Sequence, residues 1–129
     1  MKILHICTKD TGGAGKAAFR LHHGLKSIDV ESKMLVLHHN TSDSDVTALV
    51  QNNTIFNRAR NSFRNRLIAA ELKAYDLSHG FYYTMDKSIY HISNHPLVQE
   101  ADIIHLHWIA GMVDYEEFFS AMKHTPIVW

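Results

Sequence analysis

The sequence is poor in cysteine and proline and has no excess of charge of either sign. Its single cysteine, Cys7, excludes an internal disulfide framework and lies in an apolar run, where a buried thiol is expected. Thirteen basic residues balance thirteen acidic ones, so bulk charge does not indicate a nucleic-acid partner. The N-terminal apolar run is too short for a signal peptide or a membrane span. We therefore expect a cytoplasmic protein.

In other respects the composition is that of one globular domain. The 129 residues are 46% hydrophobic and 20% charged, which is enough apolar material for a real core. The chain stops on Ile127-Val128-Trp129, three apolar residues that resemble the opening of a buried strand. We therefore interpret residues 1–129 as one domain of a longer protein, incomplete at its C-terminal end.

The first 28 residues predict a strand, a glycine-rich loop and a helix. An apolar run over residues 3–7 is followed by the bend Gly12-Gly13-Ala14-Gly15 and then by a helical pattern. Such a loop opens at the carboxyl edge of a parallel sheet, and the helix start offers unpaired N–H groups to an anion. We therefore expect a phosphate-sized site at Gly12–Gly15. The apolar stripe of the helix is predicted at i, i+3, i+4, i+7 spacing, on Ala14, Ala17, Ala18, Leu21, Leu25 and Ile28.

Known phosphate loops fit this segment to different degrees. A Walker loop requires Ser or Thr after Gly15-Lys16, but Ala17 follows, and Asp10 stands at the first glycine position. The dinucleotide fingerprint is met by residues 13–18, but no acid follows the second apolar run to hold a ribose hydroxyl. A tight turn without any ligand also remains open.

The remaining pattern predicts an α/β fold, a Rossmann-like parallel sheet with helices on both faces. Asp29 ends the first helix, where a left-handed residue is expected. The arginines of the longest helix spread around its circumference, so we interpret it as a solvated helix packed on the sheet by its Phe stripe, and peripheral membrane contact is left open. Strands are predicted over residues 32–37, 46–50 and 103–108. Helices are predicted over residues 55–75, from residue 95, and after a cap at Asp114. Residues 80–90 are predicted to form an aromatic loop.

Two of the eleven histidines share one side of a predicted strand. His105 and His107 are two residues apart, so both could bind one metal ion or ligand, but spacing indicates no third metal ligand. His107, at the carboxyl end, is predicted to contact a polar ligand, and His105 to be a hydrogen-bonded core residue. Trp108 follows, where it could stack on a sugar or close the core.

Three segments together resemble the N-terminal domain of glycosyltransferase family 4 proteins, particularly bacterial members that build surface polysaccharide. They are Met-Lys-Ile-Leu-His-Ile at residues 1–6, Gly12-Gly13-Ala14, and Asp-Ile-Ile-His-Leu-His-Trp at residues 102–108. The resemblance implies a GT-B architecture, in which two Rossmann-like halves enclose a cleft. The N-terminal half presents the acceptor, and the missing C-terminal domain binds the nucleotide sugar.

The resemblance also implies residue roles and an activity. Gly12, Gly13 and Ala14 would face the donor diphosphate, and His107 and Trp108 would lie near a glycan or lipid-linked sugar acceptor. Transfer would be of the retaining hexosyltransferase type, without a metal or another cofactor, in the cytoplasm or at the inner face of the cytoplasmic membrane. The family's second half carries a spaced glutamate pair that this chain lacks. The catalytic residues are therefore expected beyond residue 129, and the piece alone is expected to be inactive.

Two other functions compete with this one. A non-catalytic nucleotide- or phosphate-binding α/β module would need only the glycine loop. A dinucleotide-dependent oxidoreductase domain would need an acid after the second strand, which the sequence does not provide.

Overall fold

The computed structural model describes residues 1–49 and 86–129, together with six helical residues between them: Ala59, Ser62, Phe63, Arg66, Leu67 and Ala70. The chain divides into two compact units, one of residues 1–49 and 84–129 and the other of residues 50–83. Within the described ranges, no helix has the length and apolarity that crossing a membrane requires.

The first unit is built on a five-stranded sheet in which every strand pair is parallel. The strand order is β3-β2-β1-β4-β5, so β1 occupies the centre. This arrangement confirms the predicted α/β, Rossmann-like class. The strands are β1 Lys2–Lys9, β2 Glu31–His38, β3 Val46–Ala48, β4 Ile103–Leu106 and β5 Ile127–Val128. The helices of this unit are α1 Gly12–Lys26, α2 Pro96–Gln99 and α3 Tyr115–Ala121, with a 3₁₀ turn at Ile92–Asn94.

The two halves of the sheet extend in opposite directions from β1. The connection from β1 to β2 contains α1, and the connection from β4 to β5 contains α3. Crossovers between parallel strands are almost always right-handed, and two such crossovers in opposite directions place their helices on opposite faces, which agrees with the prediction. On the α1 face, Cys7, Met34 and Val36 form a buried cluster with Ala18 of the helix. The buried state of Cys7 confirms its predicted core position.

The buried stripe of α1 differs from the predicted one. Its buried residues are Gly15, Ala18 and His22, whereas Leu21 is 39% exposed. A Cβ atom at Gly15 would lie 2.5 Å from the carbonyl oxygen of Lys9, so this glycine packs directly on the strand exit and sets the rotation of the helix. The apolar stripe was therefore predicted one residue too early. Of the predicted positions, Ala14, Ala17, Leu21 and Ile28 are exposed, Leu25 is half-buried, and only Ala18 is buried.

The end of α1 confirms the left-handed residue predicted at Asp29, whose φ is 58°. The N–H of Val30 donates to the carbonyl of Leu25 at 3.0 Å, and the N–H of Asp29 donates to that of Lys26 at 3.2 Å. These two bonds are the 6→1 and 5→2 pair of a Schellman motif, in which glycine is the preferred left-handed residue.

We expect Asp29→Gly to raise the free energy of unfolding by roughly 0.5–1 kcal/mol, because glycine adopts this conformation without a Cβ penalty. Urea melts of the two proteins test this. Asp29→Ala is the control, and it should be less stable than wild type. If Asp29→Gly is no more stable than wild type, the aspartate side chain itself stabilises the folded state.

The other predicted elements are found with shifted ends. Asp114 caps α3 as predicted, since its Oδ1 accepts from the N–H of Glu117 at 3.2 Å. The long helix predicted over 55–75 is helical at its six described residues, and the rest lies outside the described residues, as do residues 80–85 of the aromatic loop. Phe63 and Leu67 of its apolar stripe are 65% and 52% exposed, and its packing on the sheet stays a prediction. Periodicity identifies an apolar face but not what covers it.

Candidate functional site

A cavity of about 320 Å³ lies where β1 passes into α1, at the carboxyl edge of the central strand. The predicted loop residues Gly12, Gly13 and Ala14 line it, and Trp108, which follows β4, lines it too. The imidazole of His107 is not part of this lining. The remaining lining residues are Cys7, Thr8, Lys9, Thr11 and Gly15.

The three glycines of the loop have different roles. Gly12 has a φ of 78°, which favours glycine, and it turns the chain into the helix. Gly15 is buried against the backbone of Lys9 and Asp10 and has no room for a Cβ atom. A Cβ atom at Gly13 would meet no protein atom within 4 Å, although Gly13 lines the cavity. Gly13 therefore tolerates a side chain structurally, and that side chain would change the surface of the cavity.

The N-terminus of α1 suits an anion. Thr11 is the N-cap residue, but its side chain forms no capping hydrogen bond, and the first turn holds no acidic residue. First-turn N–H groups have no partner within a helix, and the helix dipole adds partial positive charge at this end. Lys9 adds a cationic side chain to the cavity lining. A phosphate group is a ligand of the right charge and size for this arrangement.

Backbone hydrogen bonds join the Trp108 segment to the end of β1. The N–H of Thr8 donates to the carbonyl of Trp108 at 2.6 Å, and the hydroxyl of Thr8 donates to the carbonyl of Ala110 at 3.1 Å. Trp108 remains 54% exposed, so its ring is accessible at the cavity. An exposed indole at a rigid strand exit is suited to stacking on an apolar sugar face.

Asp10 is a structural residue of this site that the sequence did not identify. Its carboxylate is buried and accepts from the backbone N–H of Asn40 at 2.9 Å and that of Thr41 at 2.8 Å. The Asn40 amide and the Thr41 hydroxyl donate to it as well, at 3.0 and 2.9 Å. Burial acts to raise the pKa of Asp10, but the bonds from Asn40 and Thr41 outweigh it and hold that pKa below its ordinary value. Asp10 thus fixes the loop after β2 beside the glycine loop.

Three histidines meet on the α1 face of the sheet, one on β1 and two on or after β4. His5 is fully buried and lies opposite His105 in the strand register. His5 Nδ1 is 3.1 Å from His107 Nε2, and the His105 and His107 ring centroids are 4.2 Å apart. One ring nitrogen of each residue lies within 4.8 Å of one nitrogen of the other two. We call these three residues the histidine cluster.

The histidine cluster is uncharged at neutral pH. Burial, followed by the neighbouring His107 and His105, lowers the pKa of His5 to about 3. Burial and then His105 lower the pKa of His107 to about 4, and burial also lowers the pKa of His105. Neutral imidazole is the form that binds a metal ion.

The structure places the predicted site residues in two groups. Gly12, Gly13, Ala14 and Trp108 share the cavity, whereas His107 points its ring toward His5. The sequence missed His5 as a partner, although parallel pairing of the two strongest apolar runs would have put His5 opposite His105. This register can be inferred from the sequence only when the order of the strands in the sheet is known.

No protein-family model matches this chain, and neither a curated protein nor a solved structure shows significant similarity to it.

Proposed function

We propose that this chain is the acceptor-side half of a retaining glycosyltransferase that moves a sugar from a nucleotide-sugar donor to a glycan or lipid-linked acceptor. The observation that carries the proposal is the shared cavity of the glycine loop and Trp108 at the carboxyl edge of β1. Parallel α/β folds bind ligands at this edge. In the proposal, a C-terminal half supplies the nucleotide site and the remaining catalytic groups.

The chemistry of sugar transfer agrees with the loop. Negative charge develops on the leaving diphosphate, and donors fixed before the reaction stabilise it most effectively. Gly12 and Gly13 offer backbone N–H groups at the uncapped start of α1, and no side chain there separates the backbone from a phosphate. This chain would therefore hold and neutralise the diphosphate without a metal ion.

The acceptor contact is assigned to Trp108 rather than to the His107 ring. Trp108 lines the cavity and is exposed, whereas the His107 ring lies against His5. Stacking on an indole would orient the acceptor sugar relative to the donor.

A non-catalytic nucleotide- or phosphate-binding module is the second candidate. The uncapped helix start and the open Gly13 position support both candidates equally, because these features concern phosphate binding and not sugar transfer. Sugar transfer to an acceptor distinguishes the two candidates.

Gly13→Val is expected to reduce affinity for UDP and GDP at least about tenfold, and in the full-length enzyme to reduce turnover by a similar or larger factor. The Cβ atom of the valine would meet no protein atom within 4 Å, at a position that lines the cavity. Calorimetric titration with UDP, GDP and their sugars measures the affinity.

Gly24→Val is the matched control. Gly24 lies in the same helix, also has no atom within 4 Å of its Cβ position, and does not line the cavity. Equal affinities of Gly13→Val, Gly24→Val and wild type would contradict a phosphate role for the loop. Nucleotide binding without acceptor-dependent transfer in the full-length protein would favour the non-catalytic module.

A further inference from the structure

We propose that His5, His105 and His107 form a binding site for a zinc-class divalent metal ion, with one coordination position open to an exogenous ligand. This site goes beyond the proposed sugar transfer, which requires no metal. It rests on the convergence of three imidazole rings from two neighbouring strands.

The distances fit a tetrahedral ion. Zinc–nitrogen bonds of about 2.0–2.1 Å place two tetrahedral ligand atoms about 3.3 Å apart. His5 Nδ1 and His107 Nε2 are already 3.1 Å apart. The widest separation within the ligand set is at most 4.8 Å, so closing the triangle requires a ring to move by about 1.5 Å, which side-chain torsion can supply.

The surroundings argue against an ordinary core. The same sheet face is otherwise packed with Cys7, Met34 and Val36, and apolar residues would fill the positions of the histidine cluster equally well. His5 is fully buried, and its Nε2 has no hydrogen-bond partner among the described residues. Its Nδ1 meets His107 Nε2 at 3.1 Å, and neutral imidazoles brought together in this way are the groups that bind a metal ion.

The open coordination position follows from the number and exposure of the ligands. Three histidines leave one position of a tetrahedral ion for water or another ligand, which is the pattern of catalytic rather than structural zinc sites. His105 and His107 are only half-buried, so an ion can enter from their side. Imidazole ligands suit zinc, cobalt, nickel and copper, whereas magnesium and calcium prefer oxygen.

A second set of potential ligands must be separated from this one. His22, His23 and Asp43 also converge, with His23 Nε2 3.1 Å from Asp43 Oδ2. However, His22 Nδ1 is already engaged with the Ser32 hydroxyl at 2.8 Å, and His23 forms an ion pair with Asp43 when it is protonated. His23→Ala removes this second set without touching the histidine cluster.

The test uses Co²⁺ and Zn²⁺ with the metal-free chain. We expect His23→Ala to bind one Co²⁺ per chain with the intense visible absorption of tetrahedral cobalt, and to bind Zn²⁺ with a dissociation constant of about 1 μM or tighter. His105→Ala and His107→Ala, each in the His23→Ala background, should lose more than the roughly 10–100-fold in affinity that an outer-shell change costs. Mg²⁺ should not compete. Circular dichroism establishes that each variant is folded, and the two half-buried positions are used because His5→Ala removes a core side chain.

Three outcomes would overturn the site: no tetrahedral cobalt spectrum in the wild-type chain, zinc affinity unchanged in the folded His105→Ala and His107→Ala variants, or complete loss of binding in His23→Ala alone. Zinc should also raise the unfolding temperature of the wild-type chain in a concentration-dependent way, because it binds only the folded arrangement. The same shift in a folded His105→Ala/His107→Ala double variant would place the ion elsewhere. Nucleotide affinity in the Gly13→Val test is independent of all these readouts, so either proposal can fail alone.

Discussion

Gly15→Ala is expected to destabilise the sheet unit by about 3 kcal/mol, the upper part of the range for overpacked sites. The added Cβ would lie 2.5 Å from the Lys9 carbonyl oxygen and 2.6 Å from the Asp10 carbonyl carbon. Both atoms belong to the backbone at the exit of the central strand, so no side-chain rotation relieves the clash. Either α1 must move away from β1 or the strand exit must distort.

Gly24→Ala provides the opposite expectation in the same helix. Its Cβ position is open, and alanine is the better helix former by up to about 1 kcal/mol, so this variant should be more stable than wild type. Thermal and urea unfolding of both variants at one pH measure the difference. Equal stabilities of Gly15→Ala and Gly24→Ala would contradict the close packing of α1 on the exit of β1.

The elements whose signal is local could be predicted from the sequence. The second strand was predicted over 32–37 and is found at Glu31–His38, and the strand predicted over 103–108 is found at Ile103–Leu106. Apolar runs of this length fix a strand because burial and β propensity agree. Asp29 and Asp114 were predictable for the same reason, since helix ends depend on the few residues beside them.

The features that depend on distant residues could not be predicted in this way. The rotation of α1 is set by contact between Gly15 and the exit of β1, and helical periodicity alone allowed a stripe one residue away. The histidine cluster depends on the pairing of β1 with β4, about 100 residues later in the chain. For the candidate site, the loop and Trp108 were predicted to lie close to a ligand, whereas the contact between His107 and His5 arises from strand register.

Asp10 is a further example, because its partners Asn40 and Thr41 lie about thirty residues away. The sequence showed it only as a residue where a Walker loop needs glycine. In the structure, its carboxylate joins the segment before α1 to the segment after β2. That segment connects two parallel strands without a helix, over seven residues, 39–45. Its second half is held by ion pairs of Asp43 and Asp45, and its first half by Asp10.

Asp10→Asn is expected to lower the free energy of unfolding by about 2–4 kcal/mol at neutral pH. Both carboxylate oxygens accept hydrogen bonds, so an amide must direct its NH₂ group at an N–H donor or leave that donor unpaired in a buried site. Asp86→Asn is the matched control, because Asp86 is exposed and its substitution should change stability by less than about 0.5 kcal/mol.

The pH dependence gives this prediction its sharper test. The pKa of Asp10 lies below its ordinary value of 3.8, so the ionised carboxylate contributes stability above that pH and loses it as the pH falls through the lower folded-state value. The asparagine variant has no such group. Urea melts from pH 7 down to pH 3 should therefore show the gap between wild type and Asp10→Asn narrowing below about pH 3.8. A gap that stays constant, or one that widens in acid, would show that the charge of Asp10 does not hold the loop.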